Sequence, residues 1–209
     1  MERPVTSVVP DTAKERGAGT GLAEQAARED FLAVMGSVCT PVAVVTSMAG
    51  ARPHGTTVSA FASLSLDPPM VLVSLDRKSE LLGHVRAAGS FGVNVLAADQ
   101  SGIAGAFAKK GENKFDGVRW LLDAGVPRLA GCAGWLRCTV KQLVDGGDHV
   151  VVLGHVAAAA QADARPLTYH KRSFGTHQPS VETYLRSLPA TGTAGRELAD
   201  LPLGWYGFS

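Results

Sequence analysis

The sequence predicts a mainly β protein, an antiparallel barrel with a few covering helices. Short runs rich in β-branched residues outnumber helical patterns along the chain, and most neighbouring runs are joined by tight turns. A doubly wound parallel sheet would instead alternate its strands with helices of about ten residues or more. The predicted strands span residues 42–46, 56–61, 70–75, 90–96, 135–144 and 149–157.

Turn residues separate these predicted strands. Gly50 and Pro53 follow the first run, and the Pro68-Pro69 pair precedes the third. Residues 145–148, Asp-Gly-Gly-Asp, join the last two runs, and their glycines suit a hairpin. This punctuation favours strands that pair with their neighbours in antiparallel fashion.

Three helices are predicted around the strands. Apolar residues recur at helical spacing from Leu22 to Met35, where Gly36 ends the pattern. Ser79 can cap a second, short helix, and residues 100–107 form the third. The resulting organisation is a flexible leader at 1–21, one main domain at 22–180, and a C-terminal tail at 181–209 that is either docked or disordered.

Composition excludes several classes of function. Twenty basic and 19 acidic residues in a chain of 209 give a formal charge of +1, so no global field favours nucleic acid or an anionic membrane. The 3 cysteines lack the spacing of a disulfide framework or a zinc site, so we expect no metal and a reducing, cytoplasmic location. The longest nearly apolar run, residues 150–160, is too short for a bilayer span of roughly 20 residues.

Common catalytic and cofactor motifs are missing from the sequence. No G-x-G-x-x-G follows a predicted strand, so a Rossmann nucleotide site has no support. Residues 50–55 have the glycine spacing of a phosphate loop, but Thr56 stands where that motif requires Lys. Without G-x-S-x-G or H-E-x-x-H, hydrolase and zinc-protease mechanisms also lack support.

Two segments carry weaker chemical signals. Residues 54–69 are dense in small hydroxyl side chains, which let a planar heteroaromatic ring approach the backbone; the alternative is a strand whose hydroxyls face solvent. Arg77, Lys78 and Ser79 precede a predicted helix, where two cations and a hydroxyl suit a phosphate; the alternative is a solvated charge cluster. The residues alone leave both alternatives open.

Taken in order, several segments resemble the flavin reductase family, the NAD(P)H-dependent components that supply reduced flavin to two-component monooxygenases. The resemblance covers roughly residues 31–174 and implies a split β-barrel that binds FMN or FAD, usually in a homodimer. That fold agrees with the predicted strand pattern. The matching segments are Pro-Val-Ala-Val-Val-Thr at 41–46, Gly-Thr-Thr-Val-Ser-Ala-Phe-Ala-Ser-Leu-Ser-Leu-Asp-Pro-Pro at 55–69, the cluster at 77–79, Phe-Gly-Val-Asn-Val-Leu at 91–96, Lys114-Phe115, and Gly147-Asp148-His149 with Gly154.

The resemblance also implies roles for particular residues. His149 starts a strand after a glycine turn, a position that the family uses near the nicotinamide; the alternative is a turn histidine that only caps backbone groups. Phe107 and Phe115 would help Lys114 to close the pocket, with core packing as the alternative. The implied flavin contacts are Thr56, Thr57, Val58, Ser59, Ser63, Leu64 and Ser65 at the ring, Arg77, Lys78 and Ser79 at the phosphate, and Asn94 at a further edge.

The activity that the resemblance implies is hydride transfer from NADH or NADPH to FMN or FAD, with the reduced flavin passed to a partner monooxygenase. Such a reaction depends on positioning two cofactors, which explains the lack of a triad or metal motif. Two alternatives stay open: a non-catalytic flavin- or haem-binding barrel, and a flavoenzyme with tightly bound flavin that acts on a specific small molecule. One departure is Phe174, where the family often has Tyr, so a contact through that hydroxyl would be missing.

Overall fold

The computed structural model describes residues 19–111 and 113–179, and those up to His177 belong to one compact unit. The predicted leader lies almost wholly outside the described residues, and so does the predicted C-terminal tail. No helix within the described ranges is long and apolar enough to cross a membrane.

Strands dominate the described part of the chain, as the sequence predicts. The helices are α1 (Gly19–Ser37), α2 (Glu80–Ala88) and α3 (Ser101–Ala108). The strands are β1 (Thr40–Pro41), β2 (Ala43–Ala49), β3 (Arg52–Val58), β4 (Phe61–Leu66), β5 (Pro69–Asp76), β6 (Ser90–Val95), β7 (Trp120–Asp123), β8 (Val126–Leu129), β9 (Gly134–Gly146), β10 (His149–Gln161), β11 (Leu167–His170) and β12 (Ser173–Thr176).

The main sheet has seven strands in the order β3-β2-β6-β9-β10-β5-β4, and every pairing in it is antiparallel. β3 contacts β5 although four strands separate them in the sheet, so the sheet curls towards a barrel. β10 pairs with β9 on one side and with β5 on the other, and it therefore joins the group β3-β2-β6-β9 to the β5-β4 hairpin. The predicted fold class, antiparallel β with covering helices, is confirmed.

One predicted strand, residues 56–61, is wrong as a single element. The chain turns between β3 and β4, where the amide of Phe61 donates to the carbonyl of Ser59 at 3.1 Å. The carbonyl of Ala60 accepts a hydrogen bond from the amide of Ser74 at 2.9 Å. β4 thereby leaves β3 and pairs with β5 at the opposite edge of the sheet.

The hairpin at residues 145–148 is confirmed, and its turn depends on one glycine. Gly147 has a φ of 66°, a left-handed conformation that favours glycine over residues with a Cβ atom. The tight turn brings His149, the first residue of β10, opposite Gly146 of β9 and Asp76 of β5.

Two apolar clusters form the core, one on each face of the sheet. β2 supplies both clusters because successive side chains of a strand point to opposite faces: Val45 belongs to one cluster and Val44 to the other. α2 covers the first cluster with Leu81, Leu82 and Val85, and α3 covers the second with Ala104 and Phe107.

The predicted first helix is confirmed as α1, but much of its apolar surface remains uncovered within one chain. Phe31, Leu32, Val34 and Met35 are 61%, 57%, 63% and 47% exposed. Exposure on this scale leaves a contiguous apolar face on α1.

Candidate active site

A cavity of about 630 Å³ lies between the main sheet, the start of α2 and the segment that follows α3. Its wall is the end of β3 and the turn into β4; its other borders are the end of β5, the start of α2, the segment after α3 and the start of β10. The lining residues are His54, Thr56, Thr57, Val58, Ser59, Ala60, Ser74, Leu75, Asp76, Lys78, Ser79, Glu80, Ala108, Lys109, Lys110, Gly111, Lys114 and His149.

The β3 wall is held against α3 by side-chain hydroxyls. The Thr57 hydroxyl donates to the carbonyl of Ala104 at 2.7 Å, and the Thr56 hydroxyl donates to that of Phe107 at 3.5 Å. The two hydroxyls that the sequence assigns to a ring contact therefore already have partners on α3. What this wall offers a ligand is chiefly its backbone and the exposed small side chains of Ser59 and Ala60, because the Val58 side chain is buried in the core.

Gly55 allows the close approach of α3 to β3. A Cβ atom added at Gly55 would lie 2.9 Å from Cε1 of Phe107, whose side chain is fully buried. Phe107 contacts Phe115 edge to face, with ring centroids 4.9 Å apart, and both belong to the core beneath α3. Neither phenylalanine lines the cavity, so the structure places them in the packing that supports its wall.

Lys114 ties the same elements together from inside the cavity. Its Nζ donates to the carbonyls of Gly55 and Phe107, each at 3.2 Å. Burial lowers the pKa of the Lys114 amine, while the nearby carboxylate of Glu80 acts in the opposite direction. Lys114 thus places a partly buried amine at the junction of β3 and α3.

The predicted phosphate cluster divides into two parts in the structure. Lys78 and Ser79 line the cavity at the start of α2, and the Ser79 side chain forms no capping hydrogen bond with the helix. Arg77 does not line the cavity. Its Nη2 lies 2.8 Å from Oδ1 of Asp145, and its Nε donates to the carbonyl of Gly147 at 2.7 Å. The Arg77 side chain therefore fastens the β9–β10 hairpin to β5.

His149 lies at the edge of the cavity. Its Nδ1 is 2.8 Å from Oδ1 of Asp148, and this hydrogen bond lowers the pKa of the Asp148 carboxyl. The His149 side chain is 43% exposed, so part of its ring is accessible to a ligand. The arrangement orients the imidazole with its Nε2 edge available.

Four predicted ligand contacts lie away from the cavity. Ser63, Leu64 and Ser65 are on β4, the edge strand, and line neither this cavity nor the smaller cavity described below. Asn94 is fully buried: its Nδ2 donates to the carbonyl of Val44, and its Oδ1 accepts from the amide of Leu129. Asn94 therefore joins β6 to β2 and β8 inside the core.

His54, Glu80 and His84 form a cluster that the sequence does not predict. His54 Nε2 lies 3.2 Å from Oε2 of Glu80, and the His54 and His84 ring centroids are 5.0 Å apart. Burial is the largest influence on His54 and lowers the pKa of its imidazole. The three residues come from β3 and α2, so no local sequence pattern brings them together.

A second, smaller cavity of about 230 Å³ shares the wall formed by Thr57, Val58 and Ser59. Its other side includes Tyr169 of β11 and Phe174 of β12, whose ring centroids are 5.2 Å apart. Phe174, the departure noted in the sequence, therefore belongs to an aromatic surface on the far side of the β3 wall. No group of three or more His, Cys, Asp or Glu residues suited to a metal occurs within residues 19–111 and 113–179.

This chain is similar in sequence to several known proteins. Residues 35–178 match the family model described as flavin reductase like domain. The reductase subunit HsaB of a flavin-dependent monooxygenase from Mycobacterium tuberculosis is 34% identical over 157 residues, which cover 73% of this chain and 84% of that protein. The FMN reductase (NADH) SmoA from Agrobacterium fabrum is 37% identical over 146 residues, covering 69% and 83%.

Solved structures agree with these relatives. The NADH:FAD oxidoreductase SgcE6 from Streptomyces globisporus, in complex with NAD and FAD fragments, superposes with a TM-score of 0.70 at 33% identity, covering 74% of this chain and 94% of that one. A further sequence relative, a probable flavin reductase from Rhizobium meliloti, is 36% identical over 143 residues. This chain spans about half the length of that protein, since the match covers 46% of it.

Proposed function

Because the chain belongs to the family of flavin reductase-like domains, we propose that it is an NAD(P)H:flavin oxidoreductase of the cytoplasm. It takes a hydride from NADH or NADPH, transfers it to FMN or FAD and releases the reduced flavin to a separate monooxygenase. Its relatives include a monooxygenase reductase subunit and an FMN reductase named for NADH, and these names support the proposal.

One observation carries this proposal: a single cavity joins an uncharged, backbone-rich wall to a cationic corner. The wall at Val58, Ser59 and Ala60 suits a flat ring with polar edges, since small side chains let backbone groups approach it. The corner combines Lys78 and the Ser79 hydroxyl with the start of α2, where helix geometry favours an anion. At about 630 Å³ the cavity is within the usual size range of cofactor sites.

When bound, the flavin supplies N5 as hydride acceptor, and the nicotinamide supplies the hydride from its C4. The residues of this chain bind and orient the two groups. Lys78 and Ser79 hold the phosphate, and residues 58–60 support the ring. Lys114, with Lys109 and Lys110, places positive charge in the same cavity, which favours the added electron density of a reduced ring.

His149 orients the nicotinamide in this proposal. Its Nδ1 is engaged by Asp148, so Nε2 is the ring atom left to hydrogen bond a carboxamide or a phosphate of NAD(P)H. A fixed contact of this kind favours catalysis by holding the two rings within reach of each other.

The proposed enzyme acts as a homodimer. The exposed apolar face of α1, which includes Phe31 and Val34, is a surface that a second copy would cover. Size-exclusion chromatography with light scattering tests this, and Phe31→Asp is expected to shift the mass towards a monomer.

The decisive test of the activity is NAD(P)H oxidation by the purified protein, followed by absorbance with and without added flavin. We expect NAD(P)H oxidation that requires added FMN or FAD. We also expect the reduced flavin to reach a monooxygenase that is held in a separate compartment of the reaction vessel. Flavin that copurifies and stays bound, without turnover of added flavin, would refute release and favour a flavoenzyme with tightly held flavin. Binding of flavin without any NAD(P)H oxidation would favour a non-catalytic barrel.

A further inference from the structure

Glu80 lies in the part of the cavity that the proposed function assigns to the flavin phosphate. It is the first residue of α2, directly after Lys78 and Ser79, and all three line the same cavity. The Glu80 carboxylate lies at the N-terminus of α2, whose positive potential would otherwise attract only the phosphate of the ligand. Glu80 therefore competes with a phosphate for the same positive potential.

The protonation state of His54 determines how much of the negative charge of Glu80 is compensated. Its Nε2 lies 3.2 Å from the Glu80 carboxylate, and the His54 side chain is only 15% exposed, against 71% for that of Glu80. A neutral His54 leaves the carboxylate charge uncompensated. A protonated His54 would balance it with a charge-assisted hydrogen bond.

Several groups surround His54 and set its protonation. Glu80 favours the charged imidazole, whereas burial, His84 of α2 and Lys114 oppose it. Arg52 lies two residues earlier on the same face of β3. Since burial is the largest of these influences and lowers the pKa of His54 below its ordinary value of 6.5, the neutral imidazole predominates at pH 6.5 and above. Under those conditions Glu80 stands without a protonated partner at His54.

We propose that Glu80 weakens the binding of the flavin phosphate, that protonation of His54 relieves this effect, and that the pair keeps the flavin exchangeable near neutral pH. The proposal rests on the proposed flavin site. It explains why an anion site built from Lys78 and Ser79 also contains a carboxylate. An enzyme that treats flavin as a substrate must release it, and a like charge beside the phosphate speeds that release.

The ordinary alternative is that Glu80 only stabilises α2, as an acidic residue in the first turn of a helix does. A structural role of that kind would not distinguish one flavin from another. Repulsion of a phosphate, in contrast, acts on FMN and not on riboflavin, which has the same ring but no phosphate.

The test measures dissociation constants for FMN and riboflavin by fluorescence titration of wild type, Glu80→Gln and Asp163→Asn. Asp163 is an exposed acid that lines neither of the two cavities described above, so its variant controls for net charge. For charges within one Debye length across a wet cavity, we expect Glu80→Gln to bind FMN about threefold to fivefold more tightly at low salt. Riboflavin affinity should change by less than about twofold in both variants.

The pH dependence supplies the second readout. The ratio of His54→Gln to wild-type dissociation constants for FMN should be close to one near pH 8 and rise above one near pH 5.5, because only wild type then carries a protonated His54 that balances Glu80. Protonation of the ligand's own phosphate weakens every charge effect as the pH falls, so it cannot produce this rise. In a Glu80→Gln background the rise should need a lower pH, because His54 then lacks the carboxylate that favours its protonated form, and Glu80→Lys should bind FMN more tightly still. A ratio that stays at one down to pH 5.5 would overturn the role of His54.

The outcomes separate the two proposals. If wild type binds both flavins but Glu80→Gln leaves FMN affinity unchanged, or tightens riboflavin equally, the role of Glu80 is overturned while the flavin site stands. If wild type binds neither flavin, the proposed function fails and this inference fails with it.

Discussion

Replacing Gly55 by Ala is expected to destabilise the protein through one steric conflict beneath the cavity wall. The added methyl carbon would lie 2.9 Å from Cε1 and 3.0 Å from Cδ1 of Phe107, and 3.2 Å from the carbonyl oxygen of Val45. Phe107 and Val45 are both fully buried, so neither can move away without disturbing its own neighbours. The backbone of Gly55 is not in the left-handed region, so the cost comes from packing alone.

The expected loss is about 2 kcal/mol in the free energy of unfolding, a typical cost of overpacking a dense core. For a domain of this size that corresponds to a fall in Tm of about 4–8 °C. If α3 moves outward to relieve the contact, the 2.7 Å hydrogen bond from Thr57 to Ala104 lengthens and flavin affinity falls as well. Chemical denaturation and flavin titration measure the two effects separately.

Gly83→Ala is the matched control, because a Cβ atom at Gly83 would meet no atom within 4 Å and the residue lies inside α2. It should be neutral or stabilise the protein by about 0.5–1 kcal/mol. Phe107→Leu removes the ring atoms that Gly55→Ala would strike, so the double variant should lose at least about 1 kcal/mol less than the sum of the single losses. Additive losses would refute the steric explanation.

Three further predictions concern the ligand site. Lys78→Ala should weaken FMN binding about tenfold at low salt and less at high salt. Arg77→Ala should change FMN affinity by less than about twofold in the same titrations, because the Arg77 guanidinium pairs with Asp145. His149→Ala should raise the KM for NAD(P)H and leave FMN affinity nearly intact; an unchanged KM would exclude His149 from nicotinamide binding. Burial lowers the pKa of His54, so the unfolded chain binds more protons than the folded chain as the pH falls below 6.5. Thermal unfolding below that pH should therefore show a larger loss of stability for wild type than for His54→Gln. Equal losses would contradict this prediction.

The long strands could be predicted from sequence because burial imposes a local pattern on them. β5 is a nearly continuous apolar run, Met-Val-Leu-Val-Ser-Leu at 70–75, bounded by Pro69 and Asp76, and its buried residues Val71, Val73 and Leu75 lie within that run. β7 and β12 have four residues each and are mostly exposed, so they lack such a signal. Their pairing with β8 and β11 depends on turns around positive-φ residues such as Ala124 and Lys171, which the sequence does not mark.

The cavity lining was predictable where one segment supplies it, as at residues 56–59 and at Lys78-Ser79. It was not predictable where partners are distant in sequence. The pairing of Arg77 with Asp145 needs the β9–β10 hairpin, and the contact of His54 with Glu80 needs α2 folded over β3. The ligand contact of Asn94 is implied by the resemblance alone, because β6 is buried on both faces and its sequence pattern does not show which way the Asn94 side chain points.

The position of β10 in the sheet has a consequence for synthesis on the ribosome. Without β10, no strand pairing joins β3-β2-β6-β9 to β5-β4, although α2 packs against strands of both sets. The cavity wall at residues 58–60 lies at the end of β3, and Lys78 and Ser79 follow β5. A nascent chain that has emerged only as far as residue 148 therefore lacks the strand that pairs with both β9 and β5, and it also lacks His149 of the cavity lining. We expect the borders of the cavity to become fixed only after β10 has left the exit tunnel, since pairing between strands so distant in sequence forms slowly.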